Sequence, residues 1–563
     1  AYTLKDGKLQ WAEAGSEAFY KVELLPYEYK ADENPVTAAA ETENPLGKVS
    51  AQEYYVTDGS EIKVTVQGTD ENYPVCTITQ IGNGEPGFGQ GRFESNEEKK
   101  DTLELTLKVT GKNITLQYGV MEAYEQTTNT LWYSKQESEF ILTTPGELRG
   151  FTQLVNAGND FSGQTVKLGQ DVDVSAETWE PIGAAKTTPF KGSFDGAGHQ
   201  VTYKIDKATD STQYQAFFSY VEDAQIRNLT VSGEVKTKGQ YGAGLAASIT
   251  KSTITDCANR VHITSTQQYA GGISATTAGD CRIEGCKNYG QVSASTKAAG
   301  ILANVPSSSV GVITDCHNYG NITATVTGGN AAGIAAIYSV KSNLKAPSIS
   351  GCTNEGSITS KGNVAGGIAG NFTGWMSDCL NNGTVNATGK NYVGGLVGQF
   401  NGLANTYVNK VEKSINKGKI TGNASGGLVG YLFVNTGNNL AEVLNCYSTG
   451  TVTGTTNVGT LVGWQKTGTQ ATAEASIKGC FAYGDSTASS IGKQDGKGKN
   501  TVQAVYNLDE SKGAEVLPAD TDTAQNIKAS VFKTSKLVKN LNKAGGEDFW
   551  GYNPEADYPV FNG

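Results

Sequence analysis

The chain has 563 residues, room for roughly two to four domains or for one long solenoid with accessories. Its 70 glycines, 2 methionines and 37% apolar content fit a turn-rich β fold and not the core of an α/β enzyme. Residues 1–140 hold 24 acids and 12 bases and the remainder 32 and 33, so the net charge of −11 is local and no basic stripe offers itself to nucleic acid; no apolar run is long enough to span a membrane.

Residues 1–140 alternate polar and apolar positions in EAFYKVELLPYEYK (17–30), EIKVTVQG (61–68), CTITQIG (76–82), DTLELTLKVT (101–110) and NITLQYGVME (113–122). A period of two predicts half-buried antiparallel strands, hence an acidic β-sandwich-like domain of one or two small modules. Residues 30–50, rich in Ala, Thr, Glu and Asn, read as a long surface loop.

A short helix is predicted over 144–158. Thr144 is its N-cap, Pro145 sits at N1, Glu147 completes a capping box, and Gly158 ends it. Leu148, Phe151 and Leu154 or Val155 form its apolar stripe, suited to covering the open end of a solenoid. Early coils with larger residues follow at 161–183 and 190–205, including Trp179, Phe190 and Phe194.

From residue 226 the chain repeats. The rungs are IRNLTVSG (226–233), ITDCANRV (254–261), IEGCKNYG (283–290), ITDCHNYG (313–320), ISGCTNEG (349–356), MSDCLNNG (376–383), VEKSINKG (411–418), VLNCYSTG (443–450) and IKGCFAYG (477–484). A second element lies between them, as in YGAGLAA (241–247), YAGGISA (269–275) and YVGGLVG (392–398). The pattern has no helical period, and short strands between glycine turns make an all-β solenoid.

The position before the cysteine holds Asn228, Asp256, Gly285, Asp315, Gly351, Asp378, Asn445 and Gly479, residues that tolerate positive φ or an Asx bend; Lys413 is the exception. A tight corner here turns the preceding Ile or Val and the following cysteine inward, so the thiols stack along the core. Asn259, Asn288, Asn318, Asn354, Asn381 and Asn416 form a second inner ladder or are plain turn residues. His317 shares its place with Ala258, Lys287, Thr353 and Leu380, which marks a solvent-facing position. The nine cysteines make no CxxC pair, no short-range disulfide scaffold and no clustered zinc site.

Residues 485–500 read as a loop, followed by a strand at VYNL and a helix near 524–541. Trp550, Tyr552, Tyr558 and Phe561 read as an aromatic plug over the C-terminal end of the core, with a carbohydrate platform as the rival reading. The domains are therefore 1–140, the repeats with their capping helix over 141–500, and a terminal coil and cap over 501–563.

The run ELRGFTQLVNAGNDFSGQTVKLGQDVDVSAETWEPIG, the FDGAGH corner, the GGLVG-type and C-x-N-x-G rungs and the closing YPVFNG resemble GLUG-type repeat regions. Such repeats accompany exported proteins of Gram-positive and gut bacteria, including the non-catalytic part of immunoglobulin A metallopeptidase-like proteins. The resemblance implies a right-handed parallel β-helix, secretion or attachment to the cell wall of a Gram-positive bacterium, and a role in presenting or binding something outside the cell. HExxH is absent, and the three histidines, His199, His262 and His317, are far apart in sequence, so peptidase chemistry does not carry over. With no LPxTG-like sorting signal, the chain is expected to be a piece of a longer protein.

The leading expectation is a non-catalytic adhesin-like module, monomeric, meeting a host protein (an immunoglobulin among the possibilities) or a glycan, without nucleic acid, membrane insertion or cofactor. A polysaccharide-active β-helix enzyme, hydrolase or lyase, is the alternative. It would draw its carboxylates, or a calcium site, from Asp171, Asp173, Glu180 and Asp195. A structural stalk is the third reading.

Overall fold

A computed structural model describes residues 2–5, 8–11, 18–27, 36–42, 52–68, 74–82, 85–86, 91–94, 102–120, 125–209, 212–340, 345–387, 392–404, 408–435, 439–484, 488–519 and 521–562. It is all-β, with 53% strand against 6% helix, and an antiparallel sheet region precedes a parallel β-solenoid of about 11 turns. The chain divides into two compact units, residues 1–157 with 164–172, and residues 158–163 with 173–563.

In the first unit, Phe19–Pro26, Asn113–Val120 and Pro74–Gly82 form the middle of one sheet, and Thr102–Lys108, Glu61–Gln67 and Thr37–Thr42 form a second. Alternation decides their faces: Ile62, Val64 and Val66 are buried, whereas Glu61 and Lys63 are exposed. Val22 and Leu24 of one sheet share a single core with Val64 and Val66 of the other, so the domain is one module. Among the described residues the pairings within these two sheets are antiparallel except that of Asn113–Val120 with Phe19–Pro26.

The strand Thr37–Thr42 falls inside the stretch read as a loop. Its run of alanines carries no alternation, and it owes its conformation to antiparallel pairing with Glu61–Gln67. Residues 30–35 and 43–50 lie outside the described residues.

The helix Pro145–Asn156 has its capping box: the Glu147 N–H donates to Thr144 Oγ1 at 3.2 Å and the Thr144 N–H to Glu147 Oε2 at 3.1 Å. Leu148, Phe151 and Val155 are fully buried. A Cβ on Gly146 would stand 1.9 Å from the Thr127 carbonyl oxygen, and one on Gly150 1.8 Å from that of Asn129. The helix is thus seated directly on the 127–129 backbone, which places it in the first unit and sets the unit border past residue 140.

The solenoid of the second unit has three walls. One carries the cysteine corners; the others are a nine-stranded sheet from Tyr214–Gln215 to Val458–Gly459 and a ten-stranded sheet from Phe218–Glu222 to Ile491–Asp495. The inward apolar position runs in register through Ile226, Ile254, Ile283, Ile313, Ile349, Met376, Val411, Val443 and Ile477. After it, Asn228, Asp256, Gly285, Asp315, Gly351, Asp378, Lys413, Asn445 and Gly479 all adopt φ between 50° and 64°. The corner is left-handed at every rung, Lys413 included.

Aspartate and glycine alternate there for a packing reason. A Cβ on Gly285 would stand 2.4 Å from Asp256 Oδ1, and one on Gly351 2.1 Å from Asp315 Oδ1, so a carboxylate at one corner fills the space of the next side chain.

The cysteines that follow are buried and unpaired. Each thiol of Cys257, Cys286, Cys316 and Cys352 donates to the carbonyl two residues back at 3.2–3.3 Å, and Ser414 makes the same bond to Glu412 at 2.6 Å.

The asparagines are an inner ladder and not plain turn residues. Asn259, Asn288, Asn318 and Asn354 each donate to Oδ1 of the next rung at 2.7 Å, Asn381 donates to Asn416 at 2.8 Å, and all six are fully buried. Glycines bracket the ladder: a Cβ on Gly272 would lie 2.5 Å from Asn288 Oδ1, and one on Gly320 2.8 Å from Asn288 Nδ2. The C-x-N-x-G and GG motifs are therefore one packing unit seen at two places in the sequence.

Toward the C-terminus the structure departs from expectation. Ile491–Asp495 is a strand inside the stretch read as a loop, because it extends the ten-stranded wall in register with Val462–Thr467. The segment near 524–541 divides into a strand, Ala524–Ile527, and the helices Ala529–Phe532 and Ser535–Gly545. Trp550, Tyr558 and Phe561 do pack together, but against Tyr447 and Phe481. These two stand in the outward row that holds His317 lower down, so the aromatic cluster covers the side of the last coils. Tyr552 is half exposed and takes no part.

Candidate functional site

The carboxylates singled out in the early coils serve local structure. Asp171 is exposed in the turn before Val172–Thr178. Asp173 accepts from the N–H and hydroxyl of Ser175 at 2.8 and 2.6 Å, an Asx turn. Glu180 pairs with Lys207 at 3.5 Å. Asp195 is the most constrained: it accepts from the Ala197 N–H at 2.9 Å, Asn228 Nδ2 at 3.0 Å and Arg227 Nε at 2.9 Å. Burial opposes its charge, but these donors and the guanidinium together hold its carboxyl below the usual range. Among the described residues Asp173, Glu180 and Asp195 share no partner. Among the described residues no group of three His, Cys, Asp or Glu is placed to hold a metal, and no helix is long and apolar enough to cross a membrane.

A different feature stands out on the solenoid. The second repeat element runs from the nine-stranded wall, through a glycine bend, into the ten-stranded wall; the outward side of the bend forms a crease that opens as a cavity over the middle coils and is covered by aromatic rings at either end. Its floor admits only small residues. Ala243, Ala247 and Ala275, then Ala299, Ala303 and Ala336, pack there against flanking tyrosines. Further along, a Cβ on Gly398 would lie 2.4 Å from Val364 Cγ1.

Rings flank the crease at both ends. At one, Tyr214, Tyr241 and Tyr269 occupy one register position on successive coils and stack at 4.6 and 4.9 Å, with interplanar angles of 12° and 6°. Tyr220 reaches Tyr214 from the other wall at 4.5 Å. Burial, with the Tyr214 and Tyr269 hydroxyls beside it, pushes Tyr241 up to about 12. At the other end Tyr392 stacks across the crease on Tyr431 at 4.3 Å, and Tyr431 continues to Trp464 at 4.9 Å. Lys466 and Lys493 stand over the indole of Trp464 at 4.9 and 4.6 Å.

Between the aromatic ends the same two rows turn polar. The tyrosine row continues as Lys297, Asn330 and Val364, and the facing row as Thr276, Asn304, Ile337, Asn371 and Gln399. A cavity of about 520 Å³ opens here, lined by Lys297, Asn330, Asn371, Gln399 and Tyr392 among others. Asn330 is only 6% exposed, and its side chain lines this cavity.

The sequence shows these positions only singly. The tyrosine opening YGAGLAA and YAGGISA is visible, but Lys297, Asn330 and Val364 replace it in later rungs, and the facing row has no common residue type. Only the strand register turns two irregular columns into the walls of one groove. No family model and no curated protein matches the chain.

Proposed function

We propose that this chain is a non-catalytic binding module of an exported bacterial surface protein, and that its solenoid holds an extended glycan along the outward crease. The observation that carries this reading is the pair of aromatic stacks, Tyr214–Tyr241–Tyr269 and Tyr392–Tyr431–Trp464, joined by a lane of amides and hydroxyls. Sugar rings present apolar C–H faces to aromatic rings and hydroxyl edges to Asn, Gln and Thr, and the crease offers rings at its two ends and polar side chains between them. Successive coils advance about 4.8 Å, close to one sugar ring in an extended chain. The likeness to GLUG-type repeats fits this placement outside the cell.

Binding of the full chain to a panel of soluble polysaccharides, followed by affinity electrophoresis, tests the reading. A retained glycan should be released roughly three- to tenfold more easily by Tyr241→Ala and by Trp464→Ala. Retention of no polysaccharide, or retention indifferent to both substitutions, would sink it.

A further inference from the structure

Resting on the glycan reading above, we propose that Lys297 and Asn330 form an anion subsite at the middle of the crease, so that the glycan held there is an acidic one bearing carboxylate or sulfate groups.

The argument begins with how lysines are used elsewhere in the solenoid. Lys191, Lys207, Lys410, Lys478 and Lys499 each meet a glutamate within 3.5 Å. Lys297 is half-buried, and among the described residues its amine meets only the Gly328 carbonyl oxygen, at 3.5 Å. The cavity it lines contains no acid: its other lining residues are glycine, asparagine, glutamine, tyrosine, isoleucine and valine. A cation in a concave, partly desolvated place with no counter-charge attracts an anion more strongly than an exposed one does. Burial holds the amine below the usual lysine range, which an arriving anion would reverse.

Asn330 is the independent observation. It is paired in register with Lys297 on the adjacent coil, is more than nine-tenths buried, and lines the same cavity. Its amide opens onto the cavity, where a ligand acceptor can take the place of solvent. A carboxylate or sulfate oxygen lets the Asn330 Nδ2 donate while the Lys297 amine supplies charge. Asn371 and Gln399 on the facing wall then meet neighbouring hydroxyls.

The test compares matched pairs of probes by calorimetry on the full chain: polygalacturonate against its methyl ester for the carboxylate arm, and dextran sulfate against dextran for the sulfate arm. At least one anionic member should bind roughly tenfold or more tightly than its neutral partner. Lys297→Met, which keeps the alkyl stem, should abolish that difference by weakening the anionic member. Lys238→Met, an exposed lysine outside the crease, should preserve it. Equal affinity for charged and neutral members, unaffected by Lys297→Met, would overturn the subsite and leave the glycan groove standing. A preference that survives Lys297→Met but falls with Lys238→Met would assign it to diffuse charge and also overturn the subsite. Binding of no probe, charged or neutral, would overturn both readings.

Discussion

A Cβ on Gly300 would stand 2.3 Å from Oδ1 of Asn318, the same oxygen that accepts a 2.7 Å hydrogen bond from Asn288. The glycine and the asparagine therefore specify each other across the core. Gly300→Ala should destabilise the solenoid by about 1–3 kcal/mol through overpacking. Asn318→Ser should be milder than Asn318→Asp, since Ser448 already closes the ladder by accepting from Asn416, whereas a buried carboxylate would face Asn354 Oδ1. Thermal denaturation of the three variants checks the order.

The stacked thiols give a second test. Cys286, Cys316, Cys352 and Cys379 should resist a thiol reagent in the native state and react together once denaturant unfolds the chain, being buried and free. Cys316→Leu should cost roughly 1–3 kcal/mol by overpacking. Cys316→Ser should be tolerated better, because Ser414 holds that place with its own carbonyl bond. His317→Ala, on the outward side of the same rung, should stay within about 0.5 kcal/mol of the parent. Rapid native labelling of most cysteines would contradict the ladder.

Asp195 predicts an acid response of the early coils. Its folded carboxyl lies below the ordinary value of 3.8, so its stabilising contribution is fully present above that value and is lost as pH falls through the folded one. Asp195→Asn should lower the melting temperature near neutrality and flatten its decline below about pH 4. An unaltered pH profile would show that Arg227 and Asn228 do not depend on the charge.

Lys413 shows what the left-handed corner tolerates. It adopts φ 50° while its amine holds Glu547 at 3.0 Å and lies 5.0 Å from the Phe549 ring centre. Lys413→Asn gains a residue suited to that φ and loses a surface pair, so its stability should remain within about 1 kcal/mol of the parent. Lys413→Val carries a β-branch into the same φ and should cost about 1–2 kcal/mol more than the asparagine variant, measured by chemical denaturation.

What the sequence revealed tracks how local each cause is. The corners were legible because Asn, Asp and Gly share one backbone tolerance, and the helix because Thr144, Pro145 and Glu147 form a self-contained cap. The asparagine ladder stayed undecided, since a turn asparagine and a stacked one look alike until the next coil is placed. Thr37–Thr42 and Ile491–Asp495 are strands by virtue of partners distant or outside their own pattern. The crease was missed for the same reason: Tyr269, Lys297 and Asn330 are consecutive only in register.

The asparagine ladder makes the coil a replaceable module. Each ladder amide donates to the following coil what it accepts from the preceding one, so the two cut faces of a coil match. Excising residues 352–378 would join Gly351 to Cys379, seat Asn318 against Asn381, and shorten the crease by about 4.8 Å. Copy number then acts as a ruler: a chain that gained or lost a whole coil would change the length of its outward crease while the ladder closed across the join.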